Sequence, residues 1–259
     1  MKPLYVSGVG LWAPGYPDAA AFARRQSDPA ASAPAATLFA SGMRRRTSLI
    51  TRAACEALTQ AVKQASADPA KLPSVYTSAY GEIVTTLEML QQMATEPEGL
   101  PSPTRFHNSV HNTAAGYASI ASVNRAFSTS LAGGPRSVAM GMVESVALLA
   151  ERGGELALVA LDEPPPAPFA PASPYPALAV AFHLSAEPRP GSLARLTKLG
   201  RMNEEGPRQG GPPYSLEPFT GHPCAAALLL AEALVNRKAG SVPLSLSGSD
   251  DWAIEVEPL

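Results

Sequence analysis

Few side chains in this 259-residue chain are suited to covalent or metal chemistry. There are two cysteines, Cys55 and Cys224, and Cys224 stands two residues after His222 at the head of an apolar run, Ala225 to Leu234. A thiol at a helix N-terminus beside an imidazole is one way to make a thiolate nucleophile. A buried cysteine packed as a small hydrophobe is the other reading of the same pair. Cys55 falls inside an amphipathic pattern and reads as structural. Ser130 and Ser137 flank the turn Ala132-Gly133-Gly134-Pro135, but no histidine is near either in sequence, so serine hydrolysis would need a distant base. His107 and His111 are four apart, a spacing that suits a metal only on a helix, and His107 precedes the residue (Asn112 or Thr113) that can cap the next helix. No metal and no cofactor is expected.

The frame around that turn matters more than any single side chain. A short run from Phe127 leads into the Gly-Gly-Pro turn. An apolar-periodic helix follows over Ser137 to Arg152, then Gly153-Gly154, then a buried strand from Glu155 to Leu161. Strand, sharp turn, helix, strand is a frame that presents nucleophiles in α/β enzymes, and a helix N-terminus there can stabilise an anion. Here the frame is complete and the turn carries no nucleophile.

The remaining elements must hold this frame. Leu4 to Trp12 reads as an opening strand, Asp18 to Gln26 as a short helix, and Ser27 to Ala36 as a loop rich in Ala, Pro and Ser. Leu49 to Ala65 is amphipathic, with Thr47 or Ser48 as its cap and Arg44-Arg45-Arg46 just before it. Ser74 to Tyr80 reads as a strand, Glu82 to Met93 as a helix, Pro97 to Pro103 as a loop, and a helix follows Asn112 or Thr113 toward Ile120. Proline density over Glu163 to Pro176 excludes helix and central strand. Ala177 to Ser185 is a buried strand with Ser192 to Leu199 as its expected partner, and Asn203 to Pro213 is a loop. His222 to Asn236 is a helix apolar on most faces, and Val242 to Ser247 and Trp252 to Val256 are closing strands. The alternation of strands and helices specifies a layered α/β domain. A net charge of −2 gives no reason to expect nucleic acid. No apolar run reaches the length of a membrane span, the N-terminus lacks signal-peptide character, and two widely spaced cysteines fit a reducing cytoplasm.

Thr220-Gly221-His222-Pro223-Cys224-Ala225-Ala226-Ala227 resembles the T-G-H-x-x-G-A-A-G motif of β-ketoacyl synthases, members of the thiolase-like superfamily. The Phe127 to Asp162 frame resembles the segment that carries their catalytic Cys, and the V-S-G-V-G start and the basic run before Thr47-Ser48 resemble further parts of that family. The overlay puts the Cys position at Gly134 or Pro135, the catalytic Lys at Glu217 and the second catalytic His at His222. The H-G-T-G-T motif of the first catalytic His does not occur.

The resemblance implies a thiolase-like αβαβα fold as a single domain over residues 1–259. Its first half, 1–162, is complete and its second half, 177–259, is shortened. It implies a non-catalytic subunit similar to chain-length factors, most like the short ones of aryl polyene pathways, because of the run Arg105-Phe106-His107-Asn108-Ser109-Val110-His111-Asn112-Thr113. The partner would be a full-length ketosynthase in a heterodimer working on chains held by acyl carrier protein. Phe106, His107, His111, Asn112 and Tyr117 would lie at the partner interface and chain-length gate, with the two histidines hydrogen-bonded there. Arg44, Arg45 and Arg46 would receive the acidic carrier protein or simply be solvated. Two other readings stand beside this one: a free-standing acyltransferase using Cys224 and His222, and a scaffold that touches no acyl chain.

Overall fold

The computed structural model describes residues 1–96, 99–201, 216–246 and 252–259. Its strands are β1 (Leu4–Trp12), β2 (Ser74–Thr77), β3 (Ser128–Leu131), β4 (Glu155–Asp162), β5 (Leu178–Ser185), β6 (Ala194–Arg201), β7 (Gly240–Pro243) and β8 (Trp252–Pro258). Its helices are α1 (Ala19–Ala23), α2 (Ser41–Arg44), α3 (Leu49–Gln64), α4 (Ile83–Thr95), α5 (Pro103–Asn108), α6 (Thr113–Ala121), α7 (Ser137–Arg152) and α8 (Ala225–Val235). The described strands form one sheet in the order β3-β2-β4-β5-β1-β6-β8-β7. β2 runs parallel to β3 and β4, and the other pairs are antiparallel. This is the layered α/β architecture expected from the sequence, built on one sheet among the described residues.

Helices cover both faces. α7 and α8 share one core with Leu11, Leu158, Phe182 and Leu196, whereas α3 and α6 share another with Trp12, Tyr76, Val159 and Leu161. The near-continuous apolar runs of β4 and β5 follow from this, since a strand covered on both faces has no solvent side to alternate with. Gly8 and Gly10 explain the V-S-G-V-G start. α3 crosses β1 so closely that a Cβ on Gly8 would overlap the Ala61 carbonyl oxygen, and one on Gly10 the Ala57 carbonyl oxygen. β6 pairs with β1 only over Leu4–Val6. Beyond that point the Val9 N–H donates to Gln64 Oε1 (2.9 Å) and the Leu11 N–H to Gln60 Oε1 (3.1 Å), so α3 side chains satisfy the strand where no neighbour does.

Several expectations are corrected. The segment Ser192–Leu199 does not pair with β5; β5 lies between β1 and β4, and β6 lies between β1 and β8. β2 stops at Thr77, because Ser78 turns its hydroxyl inward to Asp162. A helix, α5, occupies Pro103–Asn108 with proline at its start, a position where the missing N–H costs nothing. Neither Asn112 nor Thr113 caps α6 through its side chain; Thr113 Oγ1 donates back to the carbonyls of Val110 (2.7 Å) and His107 (3.2 Å). Of the two candidates before α3, Ser48 is the cap, accepting the Thr51 N–H at 3.0 Å. α8 begins at Ala225, so His222 and Cys224 belong to its entry turn. Of the expected strand Val242 to Ser247, β7 takes in only Val242 and Pro243, and Ser247 lies outside the described residues, as does the Asn203 to Pro213 loop.

Gly10→Ala should lower stability by on the order of 3 kcal/mol, because backbone cannot rotate away as a side chain would. Gly42→Ala, where an added Cβ meets nothing within 4 Å, should leave the urea midpoint unchanged or slightly raised.

Candidate functional site

The turn before α7 is built as the sequence requires. Gly134 sits at φ +55° and opens a single 3-10 turn, Gly134–Arg136, that runs directly into α7. A Cβ at Gly134 would meet nothing within 4 Å, and Pro135 is exposed. Ser137 is fully buried and serves the turn itself: its Oγ donates to the Gly134 carbonyl (2.8 Å) and accepts the Gly133 N–H (3.1 Å). Ser130 Oγ is buried on β3 and has no partner among the described residues. Glu217 is exposed at the entry to the T-G-H segment.

His222 is buried, at 4% exposure, and both ring nitrogens are engaged. Nδ1 accepts the Cys224 N–H (2.9 Å), and Nε2 lies 3.2 Å from the Asp162 carbonyl oxygen. A backbone amide only donates and a carbonyl only accepts, so the ring must be the neutral Nε2–H tautomer. Burial pushes its pKa down to about 4, which agrees. Tyr175 packs edge-on against the ring, centroids 4.8 Å apart, with Phe219 at 6.5 Å. Cys224 is completely buried, and its S–H donates to Asp162 Oδ2 at 3.2 Å. Burial, and then the Asp162 charge, raise the thiol well above its ordinary range. This thiol is therefore held protonated, the opposite of what a nucleophile needs.

Asp162, at the end of β4, is the residue the motif search did not find. It is fully buried and receives Ser78 Oγ (2.6 Å) and the Tyr80 N–H (3.0 Å) on Oδ1, with the Ala79 N–H (2.8 Å) and Cys224 Sγ on Oδ2. Burial raises its pKa, yet every neighbour is a donor, so the group these neighbours fit is the carboxylate. Glu82 and Glu163 are also buried. Glu82 Oε1 takes the hydroxyls of Ser48 (2.8 Å) and Thr51 (2.5 Å). Glu82 Oε2 and Glu163 Oε1 have no partner among the described residues. Burial pushes Glu163 up to about 8, and Glu82, Asp162 and Glu88 push the same way. The signal in the sequence was an acidic pair, Asp162-Glu163, closing the apolar run Leu156 to Leu161. Among the described residues no group of three or more His, Cys, Asp or Glu side chains is placed to hold a metal ion.

The expected interface residues separate into two kinds. Phe106 is 57% exposed on α5. Tyr117 is buried against Phe39 (6.2 Å), and its hydroxyl donates to Asn108 Oδ1 at 2.8 Å. His107 is exposed with its ring edge-on to Tyr117 (5.5 Å), and Asn112 is exposed. His111 is half-buried, with Nε2 donating to the Ser78 carbonyl at 3.1 Å. Arg45 and Arg46 are exposed, while Arg44 is half-buried and donates to the Ala35 carbonyl at 3.0 Å.

Residues 20–218 match the family model of the β-ketoacyl synthase N-terminal domain. The chain belongs to the β-ketoacyl synthase family. A search of curated protein sequences found no match. Among solved structures, a ketosynthase in complex with its chain length factor from Xenorhabdus doucetiae is 20% identical with a TM-score of 0.71, covering 97% of this chain and 98% of that one. The ishigamide ketosynthase/chain length factor is 14% identical with a TM-score of 0.72, covering 99% of each chain. A type II polyketide acyl-carrier protein in complex with its ketosynthase is 15% identical with a TM-score of 0.61, covering 77% of this chain and 69% of that one. At these identities the likeness is one of fold. Among the described residues no helix is long and apolar enough to cross a membrane.

Two measurements check this site. Iodoacetamide at pH 8 should leave both Cys55, whose thiol burial raises to about 12, and Cys224 unlabelled in the native chain and label both in urea. Glu163 has a folded-state pKa raised to about 8 against about 4.3 unfolded, so its contribution is present below the unfolded value and lost as pH rises toward 8. Stability should fall by on the order of 2 kcal/mol between pH 6 and 8, and Glu163→Gln should flatten that slope.

Proposed function

We propose that this chain is a non-catalytic, chain-length-factor-like subunit that pairs with a full-length β-ketoacyl synthase and acts with it on acyl chains held by a carrier protein, in aryl polyene or related polyketide elongation. The observation that carries this reading is the state of the family's catalytic corner. In the sequence overlay Gly134 or Pro135 takes the nucleophile's position, and in the structure both ring nitrogens of His222 are engaged by backbone groups. Condensation needs a thiolate to hold the acyl group and donors to stabilise the enolate. Here the backbone frame is present without them, so the chemistry falls to the partner's own cysteine and histidines.

The surface supports a partner. α4 and the α5 segment expose Leu90, Met93, Phe106 and Val110, and Thr86 Oγ1 ties α4 to the Ser109 carbonyl at 2.8 Å. Exposed large apolar side chains grouped on one helical hairpin mark an interaction face. The solved ketosynthase and chain length factor complexes, matched over nearly the full length of both chains, support the same assignment. Arg45 and Arg46 are free to receive an acidic carrier protein; Arg44 is committed in part to the fold.

Co-expression with the ketosynthase should give a heterodimer on size exclusion. Its elongation activity should require the ketosynthase's cysteine and survive Cys224→Ser in this chain. Phe106→Ala should lengthen the products, since removing a bulky side chain from the end of a tunnel relieves an overpacking penalty of about 1–3 kcal/mol, or about tenfold in product ratio. Failure of the two chains to associate would sink the reading.

A further inference from the structure

We propose that Asp162 is a positioning residue: its buried carboxylate sets the shape of the loop Ser78 to Glu82 and thereby places Tyr80 and His111 on the partner-facing surface, where Tyr80 acts with Phe106 to limit chain length. The inference rests on the chain-length-factor reading for its last step and on geometry alone for the others.

The loop has little structure of its own. Its polar groups converge on one carboxylate: the N–H groups of Ala79 and Tyr80 and the hydroxyl of Ser78 all donate to Asp162. The Gly81 N–H donates to Ser78 Oγ at 2.7 Å, so it depends on Asp162 at one remove. Successive backbone N–H groups aimed at one point form an anion-binding concavity, and here the anion is a side chain of the same molecule. On its far side Asp162 holds the corner that the rest of the family uses for catalysis. Oδ2 takes the Cys224 thiol and the Asp162 carbonyl takes His222 Nε2. The remnant of the catalytic corner is thus a brace.

The loop passes this constraint outward. His111 Nε2 donates to the Ser78 carbonyl, and its ring lies so close over Gly81, at φ +61°, that a Cβ there would come within 2.9 Å of His111 Cδ2. Neither partner can shift without the other. Next along the chain, Glu82 is anchored to Ser48 and Thr51 at the start of α3. Between these fixed points Tyr80, in the loop beyond the end of β2, is turned out, 45% exposed. Tyr80 is therefore a large exposed side chain on a loop held by Asp162 on one side and by His111 and the start of α3 on the other.

Asp162→Asn tests this with little change in volume, since an amide presents donors where the carboxylate only accepts. In the isolated chain, hydrogen exchange at Ala79, Tyr80 and Gly81 should quicken by about tenfold or more, with the amides of β4 and β5 unchanged. In the complex with the ketosynthase, at equal amounts of heterodimer, Asp162→Asn and Tyr80→Ala should shift product length in the same direction. Ser78→Ala should give a weaker version of both effects and serves if Asp162→Asn does not fold. Cys224→Ser, which keeps a donor to Oδ2, should restore the wild-type pattern that Cys224→Ala disturbs. Unchanged loop exchange in Asp162→Asn would overturn the positioning role. An opened loop with wild-type product lengths, or no effect of Tyr80→Ala, would overturn the link to chain length. Absence of any complex with the wild-type chain would instead count against the chain-length-factor reading, and the exchange measurement would still decide the role of Asp162.

Discussion

A single buried carboxylate holds together the corner where β2, β4 and the entry turn of α8 meet. Asp162 ends a strand after the apolar run Leu156 to Leu161, and it joins four donors from two segments far away in the chain. Taking a charge out of water costs several kcal/mol and is tolerated only where donors replace the lost hydration. The loop after β2 and the entry turn of α8 supply those donors. Each has its conformation fixed by supplying them, so β2, β4 and α8 meet at one point.

The same network accounts for the fate of the histidine retained from the family motif. A histidine that supports condensation must direct an N–H at the reacting group. In this chain the Cys224 amide takes Nδ1 and the Asp162 carbonyl takes Nε2. The ring is spent on holding the backbone, and the thiol two residues later is kept protonated by burial and by the carboxylate beside it. The T-G-H segment thus forms a structural corner, in a chain whose turn before α7 carries no cysteine.

The side that carries α4 and α5 follows a different logic. Phe106 and Tyr117 are both large and share one segment. Tyr117 points into a small core with Phe39 and Cys55 and satisfies its hydroxyl on Asn108, whereas Phe106 stays in solvent. Tyr117 is therefore packed beneath the surface, while Leu90 and Met93 on α4 and Phe106 on α5 stay exposed.

Local pattern alone determined a good deal of this protein. The apolar periods of α3, α7 and α8 and the buried runs of β1, β4 and β5 are legible because burial on one or both faces imposes a spacing on the chain itself. The family and the missing nucleophile are legible because they depend on residue identity at a turn and in one short motif. The tertiary structure decided the rest. It paired β6 with β1 and β8, buried Tyr117 while exposing Phe106, fixed the tautomer of His222, and made Asp162 a hub. The reason is common to all four. Periodicity says that a face is apolar and not what covers it, and the groups that Asp162 gathers lie about sixty to eighty residues away along the chain, beyond the reach of any local signal.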